Sequence, residues 1–96
     1  MNDEYTRLRG TLPQWIIGQL DAWVERGVYP PSIFLQRVLH NDLINTFRHA
    51  DMRELMELPD IIAYVDGHLP FDSWGSAEKL HAWSAGFKRV DDNDAK

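Results

Sequence analysis

From residue 11 onward, apolar side chains recur at three- and four-residue steps, and the rhythm breaks at proline and glycine. That is the signature of short helices joined by tight corners. In "TLPQWIIGQLDAWVERG", Thr11 or Leu12 is expected at the cap, Pro13 in the first turn and Gly27 as the stop. At 100° per residue, Ile16, Ile17, Leu20, Trp23 and Val24 fall within an arc of roughly 120°, the width of a core-facing stripe. Gln14, Asp21 and Glu25 lie opposite, where water is expected.

"VYPPS" cannot continue that helix, because each proline pushes the preceding residue toward extended geometry. Pro31 or Ser32 then opens a second helix carrying Phe34, Leu35, Val38 and Leu39. Asn41 and Asp42 favour caps over helix interiors, so a break is expected at residues 40–42 before Leu43, Ile44 and Phe47 resume the pattern. The glycine-proline corner, the apolar helix and the Asn-Asp break read together as scaffold for a helical hairpin.

A third helical region starts with Asp51 as cap and places Leu55, Leu58, Ile61, Ile62 and Val65 at helical steps. Pro59 falls inside it, which predicts a kink or two short helices meeting there. Gly67 and Pro70 end it, and a last helix capped by Ser76 turns Leu80 and Trp83 inward. The expected fold is all-α, a compact bundle of four to five short helices. Its single core comprises Ile16, Leu20, Trp23, Phe34, Leu35, Val38, Leu39, Leu43, Phe47, Ile62, Val65 and Trp83. Residues 1–10 read as a flexible N-terminus, 11–88 as the helical domain and 89–96 as a disordered acidic tail.

A chain of 96 residues is expected to form one domain. It has no cysteine, which excludes disulfides, thiolate metal sites and thiol nucleophiles. No apolar run suggests a secretion signal or a membrane span, so a cytoplasmic location is the expectation. The net charge is −5, and its surplus lies in residues 50–72, where Asp51, Glu54, Glu57, Asp60, Asp66 and Asp72 face only Arg53. Such a segment repels phosphate backbones, so direct nucleic-acid binding is not expected.

The order "LPQWIIGQLDAWVERG", "FLQRVLHNDL", "HAD" and "WGSAEKLHAW", spanning residues 12–83, resembles a family of small accessory proteins found widely in tailed-bacteriophage genomes. Pro30-Pro31-Ser32 departs from the Pro-Gly common at that corner in the family, which bears on the turn. The resemblance implies a phage accessory protein acting on its host, and carries over no reaction, cofactor or site residue.

Histidines 40, 49, 68 and 81 form no H-x-x-x-H or H-E-x-x-H pair, the spacings that put two ligands on one helix face, so no metal site or cofactor is expected. Ser32, Ser73, Ser76 and Ser84 lack a nucleophile-elbow context, and no glycine-rich phosphate loop occurs. The chain is therefore not expected to be an enzyme. Two surfaces are candidates for binding a partner. Asp51, Glu54, Glu57 and Asp60, three residues apart, make an acidic stripe that could dock on a basic protein surface or simply complement helix dipoles. Trp15, Gly18 and Ala22 share a second face of their helix, where small residues beside an indole allow close approach of another helix or a second copy.

Tyr29, with Arg26 and Arg37 nearby, could instead offer an aromatic platform to a small ligand. The expected function is non-enzymatic binding that inhibits or redirects a host protein with a basic surface. The alternative is an oligomeric protein that sequesters a nucleotide signal.

Overall fold

The computed structural model describes residues 3–94, and side chains through residue 87. Among these the chain forms six α-helices and no strand: α1 Asp3–Thr11, α2 Gln14–Arg26, α3 Ile33–Leu39, α4 Leu43–Arg48, α5 Met52–His68 and α6 Ala77–Asp94. A short 3-10 turn at Phe71–Ser73 joins the last two. The all-α bundle is thus as expected, with one more helix than the sequence pattern suggests.

The extra helix is α1, which corrects the expectation of a flexible N-terminus. Leu8 is completely buried, and Asp3 and Glu4 in the first turn with Arg9 in the last complement the helix dipole. Because α1 runs to Thr11, the next helix starts later than expected. Pro13 sits at its cap, not in its first turn, and the Thr11 hydroxyl donates back to the Arg7 carbonyl of α1. At the other end, α6 extends to Asp94 through most of the segment expected to be a disordered tail, while residues 95 and 96 lie outside the described residues.

The corners use the residues the sequence singled out. Gly27 ends α2 in a left-handed conformation, φ 67°, with its N–H on the Trp23 carbonyl. A Cβ there would stand 2.5 Å from the Phe87 ring, so the position also needs glycine for close approach of α6. Pro30 is buried, its carbonyl accepts from the Gln36 amide, and the Ser32 hydroxyl accepts the Leu35 N–H as cap of α3. Asn41 takes a left-handed turn, φ 61°, and Asp42 caps α4 by accepting from the Asn45 N–H. Asp51 and Glu54 form a reciprocal capping box at the start of α5. Helix α5 continues unbroken through Pro59. Proline removes the bond to the Leu55 carbonyl, and its exposed position places that loss where water can reach.

Two tryptophans tie the core together. Trp23 of α2 is buried and its indole N–H donates to the buried Ser73 carbonyl, while the Trp83 indole of α6 donates to the Trp23 carbonyl. Around them pack Leu8, Leu12, Ile16, Leu20, Leu35, Leu39, Ile61, Tyr64 and Val65. On the α1 side, Arg9 grips Asp21 through two hydrogen bonds of 2.9 and 2.8 Å and donates to the Tyr64 hydroxyl at 2.6 Å. The Asp21 carboxylate raises the Arg9 pKa further, outweighing partial burial, and the guanidinium stays charged. Burial raises the Tyr64 phenol, against the pull of Arg9.

Candidate docking face

The main correction concerns α4. Leu43, Phe47 and Ile62 were expected in the core, but they are 61%, 51% and 48% exposed. Helix α4 turns Thr46 inward instead, and its hydroxyl is satisfied by the Asp42 carbonyl at 2.7 Å. Asn41 and Asp42 reorient the chain after α3, and that rotation presents the apolar side of a six-residue helix to solvent.

Helix α5 carries two apolar stripes. One, through Leu58, Ile61, Tyr64 and Val65, is buried. The other runs through Met52, Leu55, Pro59 and Ile62 at alternating steps of three and four, and ends at Asp66. Met52 and Ile62 are exposed, as is Met56 beside this stripe at 77%. Between α4 and α5 lies a groove of about 180 Å³. Leu43, Leu58, Ile62 and Trp74 line it, with the carboxylates of Asp42 and Asp66 as its charged groups. The Asp42 carboxyl is held below its usual range, chiefly by the Asn45 side-chain amide, so it is ionised at neutral pH. The groove continues past Trp74 toward Phe71, Gly75 and Lys79. There the Lys79 ammonium rests 3.5 Å from the Phe71 ring centre and donates to the Phe71 carbonyl.

The residues singled out from the sequence are dispersed. Asp51 and Glu54 are engaged in the capping box, Glu57 is half-buried and Asp60 is exposed. On a helical wheel the series winds about 60° per step, away from Ile62, so the structure does not gather them into one face. Trp15 and Gly18 are exposed on α2, Ala22 is half-buried, and a Cβ on Gly18 would meet nothing within 4 Å.

Tyr29 packs edge-on against Trp23, and its hydroxyl lies 2.9 Å from His40 Nε2, sharing one hydrogen bond. They line a separate cleft of about 220 Å³ with His81 and Ser84, whereas Arg26 and Arg37 do not line it. Burial, then Arg37, lowers the His40 pKa. His68 packs against Tyr5 and Tyr64, which stack on each other, with Nε2 3.4 Å from Glu4 and no hydrogen bond, and His49 follows the last turn of α4. Among the described residues no three His, Asp or Glu side chains converge as metal ligands. Ser32 and Ser76 are caps, and the buried Ser73 hydroxyl donates to the Pro70 carbonyl.

No helix among the described residues is long and apolar enough to cross a membrane. Compared with protein-family models, curated proteins and solved structures, the chain matches none.

The residues that sequence reasoning missed are Ile44, Met52 and Met56, together with the groove wall at Asp42, Asp66 and Trp74. A signal was present. Helix α5 has apolar residues on more of its circumference than one neighbouring core can cover, which marks a helix with two packing faces.

Proposed function

We propose that this protein is a non-enzymatic binding protein that docks another protein on its α4–α5 face. The observation that carries the reading is the set of exposed apolar side chains on these two helices, Leu43, Phe47, Met52, Met56 and Ile62, of which Leu43 and Ile62 line a groove with an apolar floor. Several large apolar side chains exposed on two consecutive helices are informative in a way that a single exposed leucine is not, because their hydration is unfavourable until something covers them. Methionines suit such a surface, since their flexible side chains adapt to a partner. In a host cell, as the resemblance to phage accessory proteins implies, that partner would be a host protein whose activity is blocked or redirected.

The nucleotide-sequestering alternative has less support. Its cleft beside Tyr29 has no arginine lining it to meet a phosphate. The docking reading is tested with a Phe47→Ser/Met56→Ser variant. Quantitative affinity capture should lose the partner that wild type retains, while circular dichroism stays helical and Trp15→Ala retains it. A partner held equally by the double variant would show that the working surface lies elsewhere.

A further inference from the structure

We infer that the α4–α5 groove receives an amphipathic helix of a partner protein, about four turns long, that seats a bulky apolar side chain between Leu43 and Ile62 and sets Lys or Arg residues against Asp42 and Asp66. This rests on the docking reading above and names what docks.

The helical form of the occupant follows from spacing. Met52, Leu55, Pro59, Ile62 and Asp66 step by three, four, three and four residues, which is the heptad seam that one helix offers another in shallow-angle packing. Among the described residues no helix covers the seam along its length: Met52, Pro59 and Ile62 are exposed and Leu55 is half-buried. Helix α4 meets only its edge, through Leu43 in the groove wall, and α1 packs on another side of α5. The seam spans 14 steps, roughly 21 Å at 1.5 Å rise per residue, and a partner segment of similar length covers it.

A groove of about 180 Å³ floored by Leu58 and Val65 fits one large side chain, the anchor that helix-in-groove recognition uses.

The sign of the partner's charge follows from the rim. Two carboxylates line the part of the groove between α4 and α5 and no cation does; Lys79 lines only the continuation past Trp74. Asp66 is exposed, and neither the Arg9–Asp21 ion pair nor the 3.4 Å approach of His68 to Glu4, the close contacts of this kind among the described residues, involves it. Arg53, the single cation of the acidic segment, falls on the far side of α5, about 180° from Ile62 on the wheel. Lys79 is held by Phe71. A second copy of the chain would bring the same carboxylates to an isologous seam, where like charges oppose each other.

The test uses two synthetic 18-residue helical peptides with the same leucine face, one with lysine and one with glutamate at its polar positions. Titration into the full chain, followed by backbone amide chemical shifts, should show the lysine peptide binding about tenfold or more tighter, with affinity falling as salt rises. Perturbed resonances should cluster on α4, α5 and Trp74. Ile62→Ala should weaken binding. Asp66→Asn, and Asp42→Asn, which keeps a side chain able to cap α4, should each reduce the preference for lysine, whereas Glu78→Gln on α6 should not.

Equal binding of both peptides, or a lysine preference untouched by the two aspartate variants, overturns the inference. So does failure of the lysine peptide to bind, or concentration-dependent self-association in sedimentation that Ile62→Ala abolishes. The docking reading itself stands or falls separately, on partner loss in the Phe47→Ser/Met56→Ser variant.

Discussion

The two sides of α5 carry similar apolar spacing and meet opposite fates. On one, Leu58, Ile61, Tyr64 and Val65 are buried, and α1 adds Leu8 and Arg9 with its polar atoms matched to Asp21 and Tyr64. On the other, Met52 and Ile62 face solvent and α4 adds more exposed apolar side chains. The difference lies in what covers each. A segment expected to be a loose tail folds as α1 and closes the first side, while the Asn41–Asp42 turn carries α4 past the second without closing it. Periodicity counts how many stripes a helix has, and the chain path decides how many it fills.

That contrast can be broken most forcefully on the closed side. Trp23→Ala removes a fully buried indole that also bonds the Ser73 carbonyl, and should lower unfolding free energy by about 3 to 5 kcal/mol, read from urea denaturation. Asp21→Asn tests the polar clasp under α1. The Arg9–Asp21 pair is about one-third exposed, so solvent screening limits the loss to about 1 kcal/mol, and earlier amide exchange in α1 should accompany it.

A smaller, pH-dependent effect is expected at the Tyr29–His40 edge. Because burial lowers the His40 pKa, the unfolded chain binds the proton more readily. Its contribution to stability is present above the ordinary histidine range and is lost as pH falls through the lower folded value. His40→Gln should flatten that part of the melting-temperature profile between neutral and mildly acid pH. The smallest effect belongs to the open side: Met56→Ser should change stability by no more than about 0.5 kcal/mol by the same urea measurement, because its side chain is already in water. A large loss there would mean the open stripe is structural after all.

Much of the scaffold was legible. Gly27, Ser32, Asp42, Asp51 and Ser76 act as the caps or stops their positions implied, because a cap is satisfied by N–H groups within about four residues. The inward stripe of α2 was legible for the same reason. The docking face was not. Leu43, Phe47 and Ile62 have the spacing of core residues, and nothing local distinguishes an apolar stripe that the chain will cover from one it leaves for a partner. The acidic series beginning at Asp51 was visible as charge, yet its first two members serve the helix that contains them.

The amino-acid order alone therefore determined that this protein is helical, where most of its helices begin and end, and which side of α2 is buried. Those properties follow from interactions across one or two turns. Only the tertiary structure decided that α1 belongs to the core, that Trp23 receives partners from Ser73 and Trp83, and that α4 turns its apolar residues outward. Those outcomes depend on contacts between residues far apart in the chain, where a left-handed turn at Asn41 redirects every side chain that follows it.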